Sequence, residues 1–485
     1  MTNEPSLKKN YIYNLIYQVL TLITPLITTP YVSRILEADG IGIYSYTSAI
    51  MAYFTMFAAL GTQNYGTREI SRNRENKSGL SKTFWGIQSV SMIATLICLI
   101  GWGILIAYDD TYKYYFMALT PTLIATGVDI SWFYIGLEQM KFTVLRNTIC
   151  KVAGIIVMFA VVKQKSDLVL YMLLLSMVQL IGNLSMWPTL KRFISTVSVS
   201  ELRIWFHFKS CLTYFVITIA ISLYTVLDKV LIGLITHSEF QNGYYEQATK
   251  IINMAKMICF MALIGVMTSR MSYLFEKKKT DEIKIRIHNS FNLIYLLTFW
   301  IVAGIISVAD SFVPVFFGPG YTPVIELLYW SAPLLIIVAL STGIGSHYYL
   351  PAGKISQSTR YTVGGSIINL LVNLALIPFW GAKGAVIGTL IGESVISVLY
   401  ISNCDGAIKW KEIYALIHKR LLTAIIVVLS IFLLKHYIHL SEINMLIIEM
   451  VMVSILYFGI LYLLNDKLFF YLIKNNFNFI WKKQR

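Results

Sequence analysis

The sequence predicts an all-α polytopic membrane protein, and three observations lead to that fold class. Hydrophobic residues make up 56% of the 485 residues and charged residues only 13%, whereas about a quarter of the residues in a soluble domain are charged. The mean hydropathy is +0.65. The apolar residues also form runs of about 20, the length that spans a bilayer core. Because these runs lack strict alternation and backbone groups in lipid must be paired internally, they are predicted to be helices.

About fourteen transmembrane spans follow from these runs. In chain order their approximate limits are 10–33, 41–61, 83–108, 114–136, 146–162, 168–188, 211–235, 244–267, 291–309, 324–348, 361–380, 385–403, 421–439 and 444–464. Lys8 and Lys9 precede the first span and no small-residue cleavage site follows it. We therefore expect a retained helix rather than a signal peptide.

The positively charged residues predict the orientation of the chain. With the N-terminus in the cytoplasm, the cytoplasmic segments hold 31 Lys and Arg residues, the outer segments hold six and the spans hold three. Because Lys and Arg concentrate on the cytoplasmic side of membrane proteins, this bias predicts that both termini are cytoplasmic.

Composition and motifs exclude several functional classes. The net charge of +15 lies in short loops between apolar runs, so it is explained by membrane orientation and does not indicate a nucleic-acid partner. The five cysteines are scattered without a CxxC pair, which predicts neither a disulfide framework nor a metal site. The chain contains no GxxxxGK[ST] sequence, so no ATP hydrolysis of the P-loop type is expected. No cofactor is predicted.

An internal repeat relates residues 201 positions apart. Five pairs align at this offset: Thr21 with Ser222, Thr24 with Thr225, Thr28 with Lys229, Gly42 with Gly243, and Tyr44 with Tyr245. The offset covers six spans, an even number, so the two halves keep the same orientation, as in transporters with parallel repeats. We predict a six-helix lobe at 1–200, a second six-helix lobe at 201–405, and two additional helices with a basic tail at 406–485. Chance is the alternative, since Ser and Thr are common in membrane helices.

Polar side chains recur at helical spacing inside several spans. Charged groups at membrane depth cost about 2.5–3.5 kcal/mol on insertion scales, so they normally face a water-filled cavity or a partner. We therefore predict that the polar stripes of both lobes enclose a solvated cavity. The predicted cavity residues are Asn14, Gln18, Thr21, Thr28, Ser222, Thr225, Lys229, Lys250, Asn253, Lys256, Asn369 and Asn373.

Helix packing is an alternative role for some intramembrane residues. Glu246 and Lys250 are four residues apart and can pair with each other. Asp129 is predicted either to bind a coupling ion or to pack between helices. The sequence leaves open whether Glu393 and Glu449 line the cavity. A glycine ladder in the twelfth span is typical of close helix packing: Gly384, Gly388 and Gly392.

Several short motifs carry a resemblance to a known family. They are Ser6–Asn10, Tyr31–Ser45, Asn64–Glu69, Trp132–Glu138, Leu227–Lys229 and Gly243–Ala248. Together, over spans one to twelve, they resemble the oligosaccharide-repeat-unit flippases of the polysaccharide biosynthesis family. That family belongs to the multidrug/oligosaccharidyl-lipid/polysaccharide superfamily. The resemblance implies a V-shaped bundle of two six-helix lobes that works by alternating access in the bacterial cytoplasmic membrane.

The resemblance also implies the cargo. Undecaprenyl-diphosphate-linked sugar units for O-antigen, capsule or exopolysaccharide are expected. A count of fourteen spans resembles the capsule and lipid II branches of the superfamily. Related members have cationic cavities, which supports Lys229, Lys250 and Lys256 as cavity residues. No arginine triad like that of the lipid II flippases is evident, and this favours a capsule-type cargo.

These observations predict a flippase and not an enzyme. Lys229 and Lys256 are expected to contact the diphosphate. Arg68, Arg146 and Arg270 are expected at the cytoplasmic mouth, where they either recruit the cargo or serve topology alone. The expected partners are the lipid-linked oligosaccharide, membrane lipids, and the polymerase and glycosyltransferases of the same pathway.

Two other functional classes are alternatives. One is a transporter with a different cargo, either a lipid II flippase or a drug/cation antiporter, although a cation antiporter should have an acidic lumen. The other is a polyprenyl-dependent glycosyltransferase or polymerase that uses Glu37 or Asp39 as a catalytic acid. The segment Asp39-Gly40 is equally typical of a plain turn, and the outer loops are too short to bind an acceptor.

Overall fold

The computed structural model describes the backbone of residues 7–438, 440–466 and 468–469. Within those ranges it describes the side chains except at 7–18, 140–143, 216–218, 220–225, 261–266 and 269. All regular elements in the described residues are helices, as the sequence predicts. The chain divides into two compact units, Met1–Gly243 and Tyr244–Arg485.

The first unit contains the helices that carry the first seven predicted spans. Their bounds are α1 (Leu7–Ala59), α2 (Thr62–Asn73), α3 (Lys77–Tyr108), α4 (Lys113–Gly127), α5 (Ser131–Gly136), α6 (Met140–Val161), α7 (Leu168–Leu184), α8 (Trp187–Leu190) and α9 (Ile204–Thr236). A further helix, α10 (Glu239–Lys256), begins in this unit, and the division between the units falls inside it.

Helix α1 carries the first two predicted spans, joined by a kink at Glu37. This residue has a φ of 59° and a ψ of −179°, which interrupts the helical backbone. The Lys165 ammonium lies 2.8 Å from the Glu37 carboxylate and 2.8 Å from that of Asp39. The predicted first outer loop is therefore a sharp bend, and both of its acids are engaged in ion pairs.

Two apolar cores hold the first unit together. In one, the Trp132 ring of α5 stacks on Phe84 of α3 with the ring centroids 5.5 Å apart. In the other, Trp102 of α3 lies between Phe54 and Phe116, with centroid distances of 5.0 and 5.1 Å. These aromatic contacts tie α1, α3, α4 and α5 into one body.

Helix α9 packs within this body. The turn between α1 and α2 contains Gly61 with a φ of 74°, and a side chain there would collide with the backbone of Cys211 and Phe215 in α9. The sequence repeat instead places this helix at the start of the second lobe, at 201–405. The compact unit and the predicted repeat therefore have different boundaries, because α9 packs against α1, α2 and α3.

The second unit contains the remaining helices. Their bounds are α11 (Ala262–Glu276), α12 (Thr280–Phe317), α13 (Thr322–Ser331), α14 (Leu334–Ile344), α15 (Ile355–Trp380), α16 (Ala382–Ser402), α17 (Trp410–Tyr437) and α18 (Glu442–Leu463). Two π-helical turns, Met257–Met261 and Gly345–Tyr349, follow α10 and α14.

The long helix α12 is the scaffold on which α17 and α18 pack. The Tyr457 hydroxyl of α18 donates to the Leu296 carbonyl of α12 at 3.0 Å. Arg420 of α17 is 2% exposed; it pairs with Asp466 at 3.2 Å and donates to the Asn292 carbonyl at 2.7 Å. Buried polar contacts therefore hold the last two predicted spans against α12.

Within the described residues, ten helices are long and apolar enough to cross a membrane, or eleven if the bent pair Thr322–Ser331 and Leu334–Tyr349 is one span. Each of the fourteen predicted spans lies largely on helix. The count of membrane-crossing helices is lower than the count of predicted spans in part because α1 is one helix that contains two predicted spans. The segment α10 to α11 also carries the charges of Glu246, Lys250 and Lys256. The chain is an all-α, multi-pass membrane protein.

Candidate functional site

In the first unit, α1 and α9 carry the predicted polar stripes. The Thr28 hydroxyl donates to the Thr24 carbonyl at 3.0 Å, and Thr21 is partly buried. On α9, Asp228 is 3% exposed and Lys229 is partly buried. Both side chains have interaction partners. The predicted residues Asn14, Gln18, Ser222 and Thr225 lie outside the described side chains.

A reciprocal glycine contact joins α1 to the first turn of α10. A side chain at Gly42 would collide with the Glu239 carbonyl, and one at Gly243 would collide with the Ala38 carbonyl. Glu239 follows Ala38 by the same 201 positions that separate Gly243 from Gly42. The contact is thus symmetric under the repeat offset, which supports the internal repeat through geometry as well as residue identity.

In the second unit, the predicted cavity lysines lie near carboxylates. The Lys250 ammonium is 3.9 Å from Glu246 one turn earlier, which is the pairing that the spacing allows. The Glu393 carboxylate of α16 lies within electrostatic range of Lys256 and accepts a 2.8 Å hydrogen bond from Ser341. Asn253, between the two lysines, is exposed.

A π-helical turn follows Lys256 directly. Single π turns inside α-helices are frequent at functional sites, because the extra residue rotates the side chains that follow. The sequence analysis did not identify the proximity of Lys256 and Glu393, since the two residues lie on helices that are far apart in the chain.

The predicted cavity residues Asn369 and Asn373 pack between α15 and α16 in this structure. They are 1% and 0% exposed, and the Asn373 amide donates to the Asn369 side-chain oxygen at 3.3 Å. A side chain at Gly388 would collide with Asn373, and one at Gly392 would come within 2.9 Å of Asn369. The glycine ladder of α16 therefore makes room for the asparagines of α15, and its predicted packing role is confirmed.

Each of the three predicted mouth arginines has its own polar contact. Arg68 is exposed and donates to the Tyr214 hydroxyl at 2.7 Å. Arg146 is partly buried and donates to the Asn147 side chain at 2.6 Å. In the second unit, Arg270 is exposed and lies 3.6 Å from Glu282.

Asp129, the residue predicted either to bind a coupling ion or to pack between helices, lies just before the short helix α5. Its Oδ1 accepts a 2.8 Å hydrogen bond from the backbone N–H of Ser131, the first residue of α5. An acidic side chain before a helix N-terminus satisfies a backbone donor that has no partner inside the helix. Among the described residues, no group of three or more His, Cys, Asp or Glu side chains could hold a metal ion.

A charge cluster that the sequence analysis did not predict joins α12, α17 and α18. The Lys435 ammonium lies 3.0 Å from Asp310 and 3.4 Å from Glu449, and Ser311 donates to Glu449 at 3.0 Å. Glu449 is 0% exposed. Glu449 in the fourteenth span was the available signal, but the sequence does not show which helix it faces.

More than half of this chain matches a known protein family. The family described as "Polysaccharide biosynthesis protein" matches residues 7–275. A relative named "Putative O-antigen transporter" from Escherichia coli (strain K12) is 24% identical over 413 residues, which cover 82% of this chain and 97% of the relative.

Two solved structures are similar in fold. "Lipid II flippase MurJ, inward closed conformation" is 12% identical with a TM-score of 0.73 and covers 95% of this chain and 99% of its own. A MATE family multidrug resistance transporter of the MOP superfamily, in an inward-facing conformation, is 14% identical with a TM-score of 0.59. It covers 84% of this chain and 98% of its own. At such low identity these likenesses show the fold alone.

Proposed function

Because this chain belongs to the polysaccharide biosynthesis protein family, we propose that it is a flippase for undecaprenyl-diphosphate-linked oligosaccharide repeat units. It moves them from the cytoplasmic to the outer leaflet by alternating access, in the cytoplasmic membrane of a bacterium. The observation that carries this proposal is the pair of lysines, Lys229 and Lys256, within helices of a multi-pass membrane protein. The name of the O-antigen relative favours the same cargo class.

The cargo explains why such residues are needed. Its head carries a diphosphate and many hydroxyls, and moving these groups unassisted through hydrocarbon would remove their hydrogen bonds and solvation. Cationic side chains form strong charge-assisted hydrogen bonds with phosphate oxygens. Hydroxyl and amide side chains replace the water around the sugars. The polyprenyl tail stays in the lipid throughout.

The residues divide into proposed roles. Lys229 and Lys256 contact the diphosphate, and the threonines and serines of α1 and α9 contact the sugar. The mouth arginines Arg68, Arg146 and Arg270 recruit the anionic head on the cytoplasmic side.

Replacement of Lys229 tests the proposal. Loss of a hydrogen bond to a charged group costs about 1.5–3 kcal/mol, or roughly 10- to 100-fold in binding. We therefore expect Lys229→Ala to lower glycan export by at least about tenfold at normal membrane levels of the protein. The measurement is surface polysaccharide in cells that depend on this chain for export.

Lys163→Ala is the matched control, because Lys163 is an exposed lysine in the outer loop between α6 and α7. It should export at the wild-type rate. Undiminished export by Lys229→Ala at normal protein levels would remove Lys229 from the proposed binding site.

The cargo itself is tested in reconstituted vesicles. The chain should translocate a polyprenyl-diphosphate oligosaccharide faster than lipid II and should leave both lipids chemically intact. Faster translocation of lipid II would assign it to that cargo instead. Cleavage or polymerisation of the sugar would identify an enzyme. The Lys165 ammonium lies 2.8 Å from both the Glu37 and the Asp39 carboxylate, and this engagement opposes a catalytic role for those acids.

A further inference from the structure

An apolar groove lies in the first unit among α1, α3 and α9. Its volume is about 530 Å³, within the range of about 300–1,000 Å³ that small-molecule sites occupy. Aromatic and aliphatic side chains form nearly all of its wall. The residues used in the argument are Phe54, Phe57, Leu60, Ile97, Gly101 and Phe208.

The groove is open along the membrane-facing side of the unit. Ile97 is 65% exposed and Phe57 is 47% exposed. Along α3 the lining runs from Val90 to Gly101, which corresponds to about 16 Å of helix. The groove therefore follows the helix through roughly half of a bilayer core and can accept a long apolar chain.

One end of the groove reaches an aromatic and basic surface. Phe208 of α9 lines this end, and its ring stacks on the exposed Trp205, with the centroids 5.2 Å apart. The neighbouring Lys209 lies over Trp205, with its ammonium 5.5 Å from the ring centroid. Tryptophan and lysine together are typical of the membrane–water interface.

Arg68 adds a second cation at the same end. It donates to Tyr214 of α9, and Tyr214 packs against Gly61, the residue after the groove residue Leu60.

Two nearby acids are already paired, which leaves this end positively charged. Glu69 lies 3.2 Å from Arg72, and Glu201 lies 2.6 Å from Lys82. Arg68, Arg203 and Lys209 are exposed basic side chains. Several cations at one end of an apolar groove favour a head group with more than one negative charge. A diphosphate meets that requirement, whereas phosphatidylglycerol carries a single charge.

We propose that this groove binds the isoprenoid chain of a polyprenyl diphosphate, with Arg68 and Lys209 facing the phosphates. The assignment rests on the proposed function and adds a docking site for the tail in the first unit. The diphosphate follows the first isoprene unit directly, so a tail in the groove places the phosphates at the groove end. Cargo held there waits at the cytoplasmic interface with its sugar directed into water.

Photo-crosslinking tests this assignment on the full chain in phosphatidylethanolamine and phosphatidylglycerol vesicles. The probe is a polyprenyl diphosphate with a diazirine in its first isoprene units, and labelled peptides are identified by mass spectrometry. We expect label in residues 93–101 of α3 and around Phe57. A phosphatidylglycerol with a diazirine in its acyl chain is the comparison probe, and it should label these residues much less.

Two glycines of α3 provide a matched pair of variants. A side chain at Gly101 would project into the groove, 3.4 Å from Phe54, whereas one at Gly103 meets nothing within 4 Å. If Gly101→Leu displaces about two methylene groups of the tail, groove labelling should fall by roughly tenfold. Gly103→Leu should label like the wild type.

The outcomes separate this inference from the proposed function. Equal labelling by the phosphatidylglycerol probe, or polyprenyl label confined to other helices, overturns the groove assignment even if the wild type exports glycan. Groove labelling that responds to Gly101→Leu supports the site. If the wild type then exports no glycan, the proposed function fails while isoprenoid binding stands. Labelling of the wild type needs no substitution, so misfolding of a variant cannot obscure the result.

Discussion

At the residue scale, the asparagines of α15 show how polar groups are accommodated inside a membrane protein. Asn369 and Asn373 hydrogen-bond to each other and fill space that the glycines of α16 leave open. A Cβ atom at Gly388 would overlap the Asn373 oxygen. Small residues let two helices approach closely in a membrane, where the contact gains packing energy and interhelical hydrogen bonds.

This contact predicts that Gly388→Leu destabilises the second unit. Overpacking of a well-packed contact costs about 1–3 kcal/mol, so the midpoint of thermal unfolding in detergent should fall by several degrees. Gly364→Leu in α15 is the control, because nothing lies within 4 Å of a side chain there. Equal melting of the two variants would show that the α15–α16 contact tolerates the added volume.

At the element scale, a charge cluster around the buried Glu449 attaches the helix pair α17 and α18 to α12. Lys435 stands between Asp310 and Glu449, and its ammonium also donates to the Ser307 carbonyl at 2.7 Å. Removal of one partner from a buried ion pair leaves the other charge uncompensated, which is far more costly than the net worth of the pair.

We therefore expect Lys435→Met to destabilise the chain by about 3 kcal/mol or more. The measurement is thermal unfolding of the purified chain, read with proteolysis of the C-terminal helices. Addition of Glu449→Gln should recover part of the loss, because it removes the unpaired charge. Lys411→Met, at an exposed position of α17, is the control. A Lys435→Met chain as stable as the wild type would contradict a structural role for this cluster.

At the scale of the whole molecule, the distribution of basic residues predicts the orientation. A cysteine at Lys163, in a predicted outer loop, should react with a membrane-impermeant maleimide in intact cells. A cysteine at Glu75, between α2 and α3, should react only after the membrane is opened. The wild-type chain supplies the background from its five native cysteines. The reverse pattern would invert the orientation and move Arg68 and the basic end of the groove to the outer side.

The sequence predictions were more accurate for contacts set by spacing along one helix than for contacts between helices that are distant in the sequence. The glycine ladder of α16 was interpreted correctly because spacing along one helix indicates which residues share a face. Asp129 was harder, because its capping role depends on a helix break that apolar patterning conceals. Glu393 and Glu449 were left unassigned, since the side chains they contact, Ser341 and Lys435, lie on other helices.

The sequence by itself determined that this chain is a helical, multi-pass membrane protein of the polysaccharide biosynthesis family. Hydrophobic length and local motifs depend only on neighbouring residues, and the bilayer leaves helices as the way to pair the backbone of such segments. Only the tertiary structure decided which polar side chains within the spans pack between helices and which form ion pairs with side chains of other helices. It alone revealed the apolar groove, because both features arise where helices distant in sequence meet.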